Sequence, residues 1–138
     1  TNNKMLHYFR FHHIGYAVKD ISKASKLYLD AGWMMTDIVL DQTQNTYISF
    51  LTREGMPKIE FVAPVNDNSP IVMTLKKSGN SIYHICYAVD DINKAIQDLK
   101  HMHFVPLFKP VPSVAMDDKL ICYLYNPLVG LIEVVEEK

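Results

Sequence analysis

His13-Ile14-Gly15-Tyr16-Ala17-Val18-Lys19-Asp20-Ile21-Ser22-Lys23-Ala24 lines up, 71 residues on, with His84-Ile85-Cys86-Tyr87-Ala88-Val89-Asp90-Asp91-Ile92-Asn93-Lys94-Ala95. Nine of the twelve pairs are identical. Composition alone produces nothing close to this, so the chain carries a duplicated unit. A second echo closes each copy: Lys58-Ile59-Glu60-Phe61-Val62 against Leu131-Ile132-Glu133-Val134-Val135. Histidine and glutamate stand 47 residues apart in the first copy and 49 in the second.

Each copy predicts the same elements. An apolar strand (about 12–18, then 83–89) runs into Asp-Ile-Ser or Asp-Ile-Asn, a polar cap before a helical pattern. Ile21, Ala24, Tyr28 and Ala31 recur at helical spacing and Gly32 ends that helix; Ile92, Ala95, Ile96, Leu99 and Met102 repeat the pattern. Three strands follow each helix, at about 34–40, 46–52 and 58–63, then 104–109, 119–125 and 130–136. Gly55-Met56-Pro57 and Asn126-Pro127 mark turns between them. The fold class is therefore α+β: two tandem βαβββ modules, about 11–64 and 82–137, forming a curved mixed sheet around a central cleft. Residues 65–81 link them, with a helix that starts at Asn68-Ser69-Pro70 and ends near Gly79. The whole chain, 1–138, reads as a single domain.

Composition excludes several classes. Of the 138 residues, 49% are apolar, and 14 basic against 15 acidic residues leave a net charge of −1. That is neither a disordered chain nor a dedicated nucleic-acid binder, which needs a basic excess. No apolar run approaches the roughly 18–20 residues that span a bilayer. Thr1 opens a polar TNNK stretch rather than a basic-then-apolar secretory leader, and the missing initiator Met fits equally a trimmed chain or a piece of a larger protein. Cys86 and Cys122, both in strand-like runs, read as buried reduced thiols in a cytoplasmic protein.

The repeat also picks out a chemistry. Side chains alternate along a strand, so His13 shares a face with Gly15 and Ala17, and His84 with Cys86 and Ala88. The bulky row (Ile14, Tyr16, Val18; Ile85, Tyr87, Val89) is expected under the helices, and the histidine row lines a cleft. Glu60 and Glu133 are single carboxylates among Ile, Phe, Val and Leu, where a charge is costly unless paired or bound to metal. A lone strand histidine is more often a core residue than a ligand; recurrence at equivalent positions reverses that. Two imidazoles and two carboxylates, His13, Glu60, His84 and Glu133, suit a divalent Ni, Zn, Co, Mn or Fe ion. His12 faces the opposite way, and His7, His101 and His103 are expected at the surface. Lys76, Lys77, Lys109 and Lys119 read as a solvated face, or as holders of the phosphates of a large thiol cofactor.

The stretches HHIGYAVKDISKA, KIEFVAPVNDNSPI with LKKSG, YHICYAVDDINKAIQDL and GLIEVVEE make the chain similar to the vicinal oxygen chelate superfamily, specifically its glyoxalase I and methylmalonyl-CoA epimerase branch. The resemblance covers residues 11–137. It implies paired βαβββ modules and a metal held by His13, Glu60, His84 and Glu133. Glyoxalase I carries Glu at the second of these positions, whereas epimerases can carry Gln. The acidic residue that epimerases place before a Gly-Val step has only Asp41 as a loose counterpart, a candidate second base.

The chemistry implied is proton transfer α to a carbonyl, with the metal as Lewis acid and a carboxylate as base. Glu133 is the principal base and Glu60 a ligand and second acid/base. The substrate class is a small acyl-CoA thioester or a glutathione-type hemithioacetal, as for methylmalonyl-CoA epimerase or lactoylglutathione lyase. Two rivals share the fold. A ring-cleaving dioxygenase needs two His and one carboxylate with open positions, against which Glu60 argues. An antibiotic-binding resistance domain needs no ligand set. No nucleic-acid or membrane partner is expected, and open strand edges predict a homodimer.

Overall fold

Two aspartates start the two repeat-related helices. Asp20, extended at φ −146°, accepts the Lys23 N–H at 3.0 Å and opens α1 (Ile21–Asp30). Asp91 does the same for Lys94 and opens α3 (Ile92–His101), whose first N–H also reaches the Glu136 carboxylate at 3.0 Å. Each cap satisfies a helix N–H that has no partner within the helix. The helices also end alike. Gly32 takes φ +90° and lets Trp33 N–H bond back to the Tyr28 carbonyl. In the second copy His103 takes the left-handed position at φ +67°, and Phe104 N–H returns to Leu99. A histidine there costs roughly 1–2 kcal/mol that glycine avoids.

The structure, a computed structural model, describes residues 6–138. Among these are ten strands and three α-helices in a mixed α+β arrangement. They fall into two compact units: His13–Tyr83, and His84–Lys138 together with the described residues up to His12.

In the first unit β1 (Arg10–Ala17, shared at its start with the other unit) pairs in parallel with β5 (Ile59–Pro64). Next to β5 runs antiparallel β4 (Thr46–Thr52), and β4 carries both β2 (Met34–Met35) and β3 (Val39–Asp41). The second unit repeats this order. There β6 (Ser81–Val89) lies parallel to β10 (Gly130–Glu136), then comes antiparallel β9 (Lys119–Asn126), carrying β7 (Val105–Pro106) and β8 (Val111–Ser113). The linker helix α2 (Ile71–Ser78) belongs to the first unit; Pro70 precedes it as its cap, and Gly79 closes it at φ +66°.

The strands expected at 34–40 and 104–109 are each broken. Met35 stands opposite Leu51 but Val39 opposite Ile48, so the register slips by one residue between β2 and β3. Thr36 fills the gap: its hydroxyl accepts the Phe50 N–H at 2.8 Å, and its carbonyl accepts the Ser49 hydroxyl at 2.7 Å. In the second copy Pro106 and Pro110 lack the N–H a continuous ladder needs, and the register slips by two, from Pro106 opposite Leu124 to Val111 opposite Ile121.

The core lies between strands and helix within each unit. Val18, Ile21, Trp33, Leu51, Phe61 and Ala63 pack together in the first, with Tyr16 and Tyr28 against them. Val89, Ile92, Leu99, Cys122, Leu124 and Val134 lie at the centre of the second, with Tyr87 at their edge. Each fully buried large side chain contributes about 1.5–3 kcal/mol. The bulky strand row thus packs under the helices through its tyrosines and valines; its isoleucines do not, Ile14 being half-buried and Ile85 39% exposed.

Residues 6–12 pack with the second unit, which the repeat did not announce. The Tyr8 hydroxyl donates to Asp98 at 2.6 Å while Lys94 holds the same carboxylate and lies 4.2 Å over the Tyr8 ring. Burial and then Asp98 push the Tyr8 hydroxyl pKa far up, and the same hydrogen bond holds Asp98 below the usual carboxylate range. Phe9 packs on Tyr87, and Arg10 bonds to Asp90 and to the Glu137 carbonyl.

Candidate functional site

The histidine row behaves as the period-two reading requires. Along β1, His13, Gly15 and Ala17 are buried while Ile14 and Tyr16 are half-buried. Glu60 stands directly opposite Gly15 on one side and Phe50 on the other, so its carboxylate lies on the histidine face. His13 reaches it diagonally: Nε2 is 3.3 Å from Glu60 Oε1, with exposures of 0% and 2%. In the second unit Glu133 stands between Cys86 and Tyr123, and His84 Nε2 lies 3.1 Å from Glu133 Oε1. Those side chains are 0% and 1% exposed. The duplication therefore holds at the level of single atoms.

Two residues of this layer escaped the sequence reading. The Phe50 ring meets the His13 imidazole edge-to-face, with centroids 5.2 Å apart and planes at 77°. The Tyr123 ring meets His84 in the same way, at 5.1 Å and 81°. Such contacts add about 0.5–1.5 kcal/mol beyond burial. The signal was available, since Ile48-Ser49-Phe50-Leu51 matches Ile121-Cys122-Tyr123-Leu124. The residues between the matched ends also correspond. The Ser49 hydroxyl donates to the Thr36 carbonyl, and the Cys122 thiol points at the Phe108 carbonyl at 3.2 Å. Burial, followed by the Glu133 charge, pushes that thiol up to about 11.

The expectation that His12 faces away from the histidine row is not met: one of its ring nitrogens comes within 4.8 Å of the Cys86 sulfur, and its Nε2 lies 3.4 Å from Glu137, which also bonds Lys119 at 2.9 Å. The Lys119 contact, more than His12, holds the Glu137 carboxyl below its usual range. His7, His101 and His103 are exposed, as are Lys76, Lys77 and Lys109. Asp41 is buried, but its Oδ1 accepts the Gln44 N–H at 3.0 Å and so closes the turn between β3 and β4. Cys86 and Cys122 are both buried and free of disulfides.

Each unit thus presents one imidazole nitrogen and one carboxylate oxygen, held within 3.3 Å inside an apolar layer. That donor pair fits a borderline divalent ion, and a buried His–Glu contact among Ile, Phe and Val is costly to keep for packing alone.

The chain belongs to the Glyoxalase/Bleomycin resistance protein/Dioxygenase superfamily, whose profile matches residues 12–123. Within that class its relatives include epimerases. It is 33% identical over 93 residues to the mitochondrial methylmalonyl-CoA epimerase of Mus musculus, covering 66% of this chain and 52% of that protein. The Dictyostelium discoideum enzyme of the same name is 27% identical over 131 residues, covering 94% and 78%. The chain spans about half the length of the mouse relative. The solved methylmalonyl-CoA epimerase of Mycobacterium tuberculosis shares the fold, with a TM-score of 0.81 over 94% of this chain and 88% of that one at 24% identity.

Proposed function

We propose that the chain is a metal-dependent epimerase or isomerase that moves a proton α to the carbonyl of a small acyl-CoA thioester. The observation that carries this reading is the pair of buried His–Glu contacts at repeat-equivalent positions, His13–Glu60 and His84–Glu133. In this reading the four side chains ligate one divalent ion, of the Ni, Zn, Co, Mn or Fe kind. When bound, such an ion would supply Lewis acidity to the substrate carbonyl.

The chain's own residues do the rest. His13 and His84 hold their Nε2 atoms toward the carboxylates. Gly15 and Cys86, opposite Glu60 and Glu133, keep the strand beside each carboxylate free of bulk. Glu133 takes the α-proton, and Glu60 serves as ligand and second acid/base, returning a proton at another face. The epimerase names among the relatives favour a thioester over a hemithioacetal.

The test is incubation of the metal-loaded protein with branched acyl-CoA thioesters in D₂O, with α-deuteration followed by NMR. Exchange is expected. Conversion of a glutathione hemithioacetal with no thioester exchange would assign the lyase chemistry instead, and oxygen uptake with a catechol the dioxygenase.

A homodimer is part of the proposal. In the second unit the edge strand β7 and its flank leave Val105 61% and Leu107 56% exposed, an edge that a second copy would cover. Sedimentation velocity at micromolar concentration is expected to give twice the chain mass, and a monomer would refute it. Among the described residues no helix is long and apolar enough to cross a membrane. A cytoplasmic setting is proposed from the two buried, unbridged thiols.

A further inference from the structure

Each histidine of the candidate site leans on an aromatic ring that occupies the same place in its unit. Phe50 and Tyr123 stand directly across from Glu60 and Glu133, so glutamate and ring share one face. The imidazole passes diagonally over the carboxylate strand and ends against the ring, at 5.2 Å in one unit and 5.1 Å in the other. Each ring has its own support. The Lys58 ammonium lies 5.1 Å over Phe50, and Phe108 packs edge-on to Tyr123 at 5.9 Å. The strand carrying Phe50 is pinned from the other side as well, because its N–H bonds the Thr36 hydroxyl at 2.8 Å.

We infer that Phe50 and Tyr123 are positioning residues: their rings fix the plane of His13 and His84 and so aim each Nε2. An imidazole on a strand retains rotation about its last side-chain torsion, which is broad and two-fold. A flat wall at near-perpendicular incidence removes that freedom, and a flexible aliphatic chain does not. The duplication kept an aromatic ring at this place but not its hydroxyl, Phe in one copy and Tyr in the other. The ring is therefore the working part. This inference rests on the metal reading above for its consequence, though not for the ring contact itself.

Four variants test it: Phe50→Leu, Tyr123→Leu and the exchanges Phe50→Tyr and Tyr123→Phe. Two readouts are needed. Proton NMR of the metal-free protein reads the ring-current shifts of the His13 and His84 imidazole protons. Titration with Co(II) alone reads affinity and the visible absorption that reports ligand geometry. The leucine variants are expected to lose the ring-current shift of their own histidine, weaken Co(II) binding by about 10–100-fold, as for other residues that orient a ligand, and alter its spectrum. The exchanges should leave all three near the parent values, which also separates positioning from a folding defect. Leucine variants with parent affinity and spectrum overturn the inference. So does a Tyr123→Phe protein that behaves like Tyr123→Leu. If the parent binds no Co(II), the metal reading and the aiming of ligands fall together, whereas loss of the ring-current shifts would still establish the wall.

Discussion

Glu133→Gln is expected to keep the fold while α-proton exchange falls by about 10² or more. Glu133 sits 1% exposed between Ile132 and Val134, across from Cys86 and Tyr123. Glutamine is nearly isosteric and still offers an oxygen to His84 and to a cation, so the strand layer survives the change. What it cannot do is accept a proton from carbon. Loss of a general base typically costs about 10²–10⁴-fold, and 10² corresponds to about 2.7 kcal/mol of barrier. The measurement is single-turnover deuterium incorporation with bound metal held at saturation. Parent-rate exchange in Glu133→Gln together with loss in Asp41→Asn would move the base to the first unit. The turn-closing bond from Asp41 to Gln44 makes that outcome unexpected.

The second large effect is on stability. His84→Ala removes the imidazole 3.1 Å from Glu133 and leaves that carboxyl group in an apolar layer. Removing one member of a buried pair costs about 3–5 kcal/mol, a large share of the roughly 5–15 kcal/mol that holds a domain folded. Denaturant unfolding of the metal-free protein reads it as a shifted midpoint. His101→Ala, at the exposed end of α3, is the control and leaves the midpoint in place. A His84→Ala midpoint equal to the parent's would mean that Glu133 does not depend on this histidine.

Much of this was legible because the chain prints it twice. Identity at His13/His84 and Glu60/Glu133 located the candidate ligands, and the flanking Asp-Ile steps located both helix starts. The broken third strands were not legible. Alternation of apolar residues continues through 34–40 whether or not the ladder does, and a register slip is decided by the neighbouring strand. The packing of residues 6–12 on the second unit was hidden for a similar reason, since Tyr8 and Asp98 lie 90 residues apart. Phe50 and Tyr123 were not legible from identity, because what the two copies share there is a ring and not a residue type. Asp41 shows what a motif position leaves out: its carboxylate also closes the turn before β4, a contact that only the fold reveals.

The most direct test of the account is the metal content of the reloaded protein, measured by elemental analysis on the parent and on His13→Ala and His84→Ala. Four ligands serving one ion predict about one divalent ion per chain, lost in either variant, because three remaining donors from a broken set bind far more weakly. Two ions per chain, or a His84→Ala protein that holds metal as well as the parent, would contradict it.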